Sequence, residues 1–212
     1  MLGTDNESSL WLRYLMGMTN QVRTVAARVA VVIAVACLLP VVTLPQQVTG
    51  HTHLPMGNSV YLERARGELV EWYPWGKEAF QKARERDRPV LLDLGAVWCG
   101  WCSAMERESY SDPETAAFIN SHFVAIKVDF DADPELSAEL ERGQAIINLP
   151  AGLPLTAFIT PDGKLYSGGG YFPKKASNSK PAFREVLEQA YRVYRDYGVE
   201  AERDSFQLKI EE

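Results

Sequence analysis

The feature that most narrows the fold is an apolar run broken by a single carboxylate, Val90-Leu91-Leu92-Asp93-Leu94, which leads within a few residues into Trp98-Cys99-Gly100-Trp101-Cys102. Behind Pro89, the run is too short for a helix. It also lacks the polar alternation of a half-solvated strand, so it reads as a strand covered on both faces. Such strands belong to sheets with helices on both sides, which makes the chain α/β. Trp75 to Arg86 has helical spacing, with Ala79, Phe80 and Ala83 on one face, and Cys99 opens a second helical segment through Glu108. Asp112-Pro113-Glu114 sets a capping residue before proline at the first helical position, starting a helix to about Ser121. Phe123 to Phe130 reads as a strand, and Asp133-Pro134-Glu135 starts a helix to about Arg142, stopped by Gly143. Leu155 to Thr160 is a strand that turns through Pro161-Asp162-Gly163 into a partner, Lys164 to Ser167, before an amphipathic helix from about Pro181 to Tyr197. The order α-β-α-α-β-α-β-β-α predicts one domain over residues 71–200, with parallel strands first and an antiparallel hairpin later.

The three cysteines are too few for a disulfide framework, and Cys99 and Cys102 have the spacing of redox or metal chemistry. Zinc would need four ligands, and neither a second cysteine pair nor a spaced histidine pair exists to complete a site. At a helix N-terminus, unpaired N–H groups and the positive dipole end face the Cys99 sulfur and favour its thiolate. Cys102, one turn on, can resolve a mixed disulfide. An inert buried pair is the bland alternative.

Leu92 to Cys102 resembles the active-site region of thioredoxins and of the C-terminal domain of the DsbD reductases, and the resemblance extends over about residues 71–200. It implies a thioredoxin-like three-layer α/β sandwich. It also implies that Asp93, six residues before Cys99, accepts the proton of Cys102, and that Lys127 pairs with Asp93. Gly152-Leu153-Pro154-Leu155-Thr156 resembles the cis-proline loop of that superfamily, whose backbone at Leu153 would dock an extended substrate peptide. With Trp98, Gly100 and Trp101, Leu153 and Pro154 make the expected substrate-binding set. Glu71 to Phe80, Met105 to Glu114, Gly152 to Lys164 and Gly168 to Pro173 resemble a further thioredoxin-like family, which includes the spermatogenesis-associated protein 20 type. Its longer members add a helical, glycosidase-like barrel, for which this chain ends too soon. That family typically carries His where Gly100 stands and Ser where Asp93 stands, and both departures move this sequence toward working thioredoxins.

From Val29 to Leu44 no residue is charged. Arg13, Arg23 and Arg28 precede the run, and no further Lys or Arg follows before Arg64. Residues 22–44 are therefore expected to form a transmembrane signal-anchor or a cleaved signal helix, with residues 1–21 cytoplasmic and the domain exported. Cys37 is expected to be an apolar membrane residue. Residues 45–70 read as a linker carrying the exposed His51 and His53, and residues 201–212 as a C-terminal tail.

The net charge of −6 argues against a nucleic-acid partner. Asp129, Asp131 and Asp133 imitate the start of a calcium loop, but Pro134 and Leu140 stand where glycine and glutamate are needed. A strand end running into a helix cap explains them. His122 reads as a surface residue at a helix end. Gly168 to Pro173 reads as a close-packed turn near the active site, without a mechanism. The expected function is an extracytoplasmic thiol–disulfide oxidoreductase, periplasmic in a Gram-negative cell. It would need no organic cofactor and no metal, and would act on protein thiols and disulfides with a redox partner protein. The alternatives are a non-catalytic binding or chaperone-like module and a specialised reductase of cytochrome c or metal-site maturation.

Overall fold

The computed structural model describes residues 52–57, 59–177, 179–197 and 205–210. The expected cytoplasmic segment 1–21, the membrane helix 22–44, Cys37 and His51 lie outside them. Among the described residues no helix is long and apolar enough to cross a membrane.

Helix α1 (Val60–Ala65) precedes β1 (Trp72–Tyr73), α2 (Lys77–Arg86), β2 (Val90–Gly95) and α3 (Gly100–Met105). The last continues into a π-helical turn, Glu106–Tyr110. Then come α4 (Pro113–His122), β3 (Val124–Asp129), α5 (Pro134–Ile146), β4 (Leu155–Ile159), β5 (Lys164–Gly169), α6 (Phe183–Arg192) with a π-helical end at Val193–Tyr197, and β6 (Phe206–Gln207). All nine elements anticipated within residues 71–200 form. The Asp-Pro starts act as read: Asp112 accepts the Thr115 N–H and Asp133 the Leu136 N–H, each at 3.0 Å.

The sheet order is β1-β3-β2-β4-β5-β6. β2 and β1 run parallel to β3, and the β2–β4, β4–β5 and β5–β6 pairs are antiparallel. The central strand β2 is buried along its whole length, and its alternate residues feed two cores. Val90, Leu92 and Leu94 join Phe80 of α2 and Leu140 of α5. Leu91 joins Ala65 of α1, Ile119 of α4 and Leu187 of α6. The result is helix, sheet, helix. Asp93 shares the face of Leu91, and the register sets it opposite Lys127 of β3 on one side and Thr156 of β4 on the other.

Three expectations at the domain's edges are corrected. The described part of the 45–70 linker is folded: Leu54, Tyr61, Ala65 and Val70 are buried, and Ser59 caps α1 by accepting the Leu62 N–H at 3.0 Å. Tyr61 and Ala65 are four apart, so one helical face carries both into the core. His53 stacks on Tyr73 at 4.0 Å between ring centroids and contacts Glu71 at 3.1 Å, so it is exposed yet part of the fold. The described part of the 201–212 tail contributes β6, which pairs with β5, and buries Leu208. Gly143 does not stop α5. A methyl group there would lie 2.7 Å from Phe206 and 2.9 Å from Leu165, so glycine lets the last strand close against the helix.

Candidate active site

β2 aims the chain at the site. After Gly95 it turns through Ala96, whose carbonyl accepts the Cys99 N–H at 3.1 Å, and Cys99 becomes the residue that caps α3. Cys99 and Cys102 form a disulfide with the sulfurs 2.05 Å apart. The Cys102 N–H points at Cys99 Sγ at 3.1 Å, so the helix start supplies a backbone donor to that sulfur.

Two exposed aromatic side chains flank the pair. Trp98 and Trp101 are each 63% exposed. Trp98 donates its indole N–H to Asp131 at 2.7 Å and sets its edge on Phe130. Trp101 packs on Tyr171 at 4.9 Å between centroids, and the Tyr171 hydroxyl donates to Glu108 at 2.8 Å. Gly168 to Pro173 thus brings an aromatic wall to the CxxC spacer, a role the sequence did not disclose. Gly100 is exposed, and a side chain there would meet nothing within 4 Å. The Leu153–Pro154 bond is cis, as the resemblance implies, and Leu153 packs on the cluster of Tyr61, Ala96, Cys99 and Cys102. Gln144 fastens this loop by donating to the Pro150 carbonyl.

Beneath the disulfide the chemistry is polar and buried. Lys127 Nζ lies 2.9 Å from Asp93 Oδ2, 3.3 Å from Glu106 Oε1 and 3.8 Å from Glu68 Oε1. It also lies over the rings of Tyr61 and Trp72, at 4.5 and 4.8 Å. Burial alone opposes the lysine's charge. The three carboxylates outweigh it, and Lys127 holds its proton more tightly than an ordinary lysine. Burial pushes Glu68 up to about 7, although Lys127 and the Trp72 indole, which donates to it at 2.6 Å, pull the other way. The Tyr61 hydroxyl donates to Asp93 Oδ2 at 2.6 Å, and burial, then the Asp93 charge, lifts its pKa well above that of an ordinary tyrosine. Among the described residues Asp93 Oδ1, Glu106 Oε1 and the Tyr110 hydroxyl have no hydrogen-bond partner.

Every sequence-predicted site residue therefore lies around the disulfide or in the stack below it. Lys127 meets Asp93 as the resemblance implies. Tyr61, Glu68 and Glu106 have no place in the sequence reading, and Tyr171 enters it only as part of a turn near the site. Ser59 before and Gly67 after α1 are ordinary start and stop signals that could have revealed the helix carrying Tyr61. The three aspartates of the calcium-like stretch hold protein groups: Asp129 accepts from Ser59, Asp131 from Trp98, and Asp133 caps α5. His122 is half-buried, stacked on Phe118 at 4.0 Å.

Residues 51–210 match the family model Thioredox_DsbH, described as "Protein of unknown function, DUF255". The chain is 35% identical to human spermatogenesis-associated protein 20 over 129 residues, covering 61% of this chain and 16% of that protein. It is 32% identical to the thiol:disulfide interchange protein DsbD of Vibrio vulnificus over 68 residues, covering 32% of this chain and 11% of that one. It thus spans under a fifth of either relative. A solved structure called DsbH oxidoreductase is similar with a TM-score of 0.45 at 22% identity, over 58% of this chain and 85% of that one. The match over residues 51–210 takes in the sheet, the disulfide and the buried stack, and on it the chain belongs to the Thioredox_DsbH family.

Proposed function

We propose that this protein exchanges disulfides with protein substrates through Cys99 and Cys102. The observation that carries the reading is the disulfide at the start of α3 with the Asp93–Lys127 pair buried beneath it. In the reducing direction the Cys99 thiolate attacks a substrate disulfide and expels one substrate thiolate. Cys102 gives up its proton toward Asp93 and attacks Cys99 Sγ, which frees the second thiolate and closes the Cys99–Cys102 disulfide. The oxidising direction is the same sequence reversed. Lys127 keeps the Asp93 carboxylate in place. Leu153, beside cis-Pro154, offers an edge for an extended substrate backbone, and Trp98, Gly100 and Trp101 form the rim against which substrate side chains rest. A redox partner protein resets the pair. The similarity to a thiol:disulfide interchange protein supports this chemistry. The uncharged run from Val29 to Leu44, with three arginines before it and no Lys or Arg after it until Arg64, supports a membrane tether at residues 22–44 that holds the domain on the extracytoplasmic side.

Reduction of insulin by the full chain with dithiothreitol as donor tests the reading. Dithiol-dependent turnover that vanishes in both Cys99→Ser and Cys102→Ser is expected, and the absence of turnover by the wild type would refute it.

A further inference from the structure

Thiol–disulfide exchange needs a route for one proton. When Cys102 attacks, its S–H proton must leave toward the buried carboxylate, and it must come back when the disulfide reopens. The Tyr61 hydroxyl borders both groups. It donates to Asp93 Oδ2 at 2.6 Å. A methyl group built on Gly95 would lie 2.2 Å from the Tyr61 oxygen and 3.1 Å from Cys102 Sγ, so hydroxyl and sulfur border the same point. Only glycine at position 95 lets them share it. Tyr61, Cys99 and Cys102 pack in one cluster. Asp93 Oδ2 already takes Tyr61 and Lys127, while Asp93 Oδ1 has no partner among the described residues.

We propose that Tyr61 carries the proton between Cys102 and Asp93, a step that rests on the disulfide-exchange reading above. As Cys102 attacks Cys99 Sγ in the mixed disulfide, the Cys102 S–H proton passes to the Tyr61 oxygen while the Tyr61 proton passes to Asp93. The S–S bond to the substrate breaks, the Cys99–Cys102 bond forms, and the substrate leaves as a thiolate that takes a proton from water. Tyr61 begins and ends neutral, and Asp93 gains the proton. Reduction of the disulfide by the partner dithiol returns that proton to Cys102 by the same path. The tyrosine's own reluctance to ionise in this buried setting fits a coupled transfer with no free phenolate. The groups that face the relay are Lys127 of β3, Glu106 and Tyr110 of the π-helical turn, and Glu68 between α1 and β1. Lys127, held charged by its three carboxylates, fixes the position of the Asp93 carboxylate below the relay.

The test is stopped-flow reaction of the reduced full chain, carrying Cys37→Ser, with 5,5′-dithiobis(2-nitrobenzoate). Attack by Cys99 releases one coloured thiolate, and resolution by Cys102 releases a second. Tyr61→Phe is expected to leave the first phase within about twofold and to slow the second at least ~10-fold at neutral pH. The gap should close near pH 9–10, where a thiol of ordinary pKa ~8.5 ionises unaided. Adding Tyr61→Phe to Asp93→Asn should slow the second phase no further. A structural role for Tyr61 would slow both phases at every pH. In case the phenylalanine variant folds poorly, 3-fluorotyrosine at position 61 keeps the shape and changes only hydroxyl acidity, and it should alter the second phase alone. A second phase with wild-type rate and pH dependence in either variant would overturn the relay. Wild-type protein that releases no second thiolate would instead overturn the disulfide-exchange reading itself.

Discussion

Trp98 and Trp101, on either side of Cys99, are each 63% exposed, while Asp93 and Lys127, one layer below, are each 1% exposed. The rim is held by few bonds: one indole hydrogen bond to Asp131, ring contacts of Trp98 with Phe130 and of Trp101 with Tyr171, and open space above Gly100. The floor is held from many directions, with β2, β3, the π-helical turn and the segment after α1 each sending a charged group to Lys127 or supplying it. An exposed contact can change with little cost to folding. A buried ion network cannot lose a member without leaving charge unpaired in a low dielectric. On the proposed function, this division puts substrate recognition at the surface and proton transfer underneath.

The largest expected break in this contrast is Lys127→Met. It removes the cation shared by Asp93, Glu106 and Glu68, and should cost ~3–5 kcal/mol in denaturant unfolding. A loss below ~1 kcal/mol would mean that the floor does not depend on the pairing. Next comes Gly95→Ala, whose methyl group would meet the Tyr61 hydroxyl at 2.2 Å. Overpacking of this kind should cost ~1–3 kcal/mol, and the penalty should shrink when Tyr61→Ala is made in the same chain.

Glu68 gives the floor a pH signature. Its carboxyl is pushed up to about 7 by burial, against 4.5 for an ordinary glutamate. The folded state therefore holds a proton that the unfolded chain has released. Between about 4.5 and about 7 stability should fall as pH rises, by ~1–3 kcal/mol in all, and level off above. Glu68→Gln should flatten that slope in unfolding curves measured across the range. The smallest stability effects belong to the rim. Trp101→Ala should change unfolding by less than ~0.5 kcal/mol yet raise KM for insulin reduction. Gly100→His has the room it needs, and it should leave stability unchanged while moving the reduction potential of the pair by tens of mV.

What the sequence disclosed follows the same division between local and distant. The Val90–Leu94 run, the Asp-Pro caps and the CxxC spacing each act within one or two turns of chain, and each appears where expected. Lys127 was reachable only because a familiar offset pointed to it. Strands β1 and β6 have two residues each, too few to show a period, although Phe206 and Leu208 alternate with polar neighbours. Gly143 looked like a helix stop because its reason lies in Phe206, far along the chain. Tyr61 meets Asp93 across 32 residues, and Glu68 meets Lys127 only through the tertiary fold. No local pattern announces such contacts. Glu106 lies four residues after Cys102 on the same helical path, and that spacing alone could have marked it.

The most direct test of the central claim is to trap the first covalent intermediate. Reduced full-length protein carrying Cys37→Ser and Cys102→Ser is mixed with a disulfide-bonded peptide and examined by mass spectrometry. A stable one-to-one mixed disulfide through Cys99 is expected, with rapid release of the free peptide thiols when Cys102 is restored. Absence of the adduct, or an equal adduct on Cys102 in the Cys99→Ser protein, would contradict the claim.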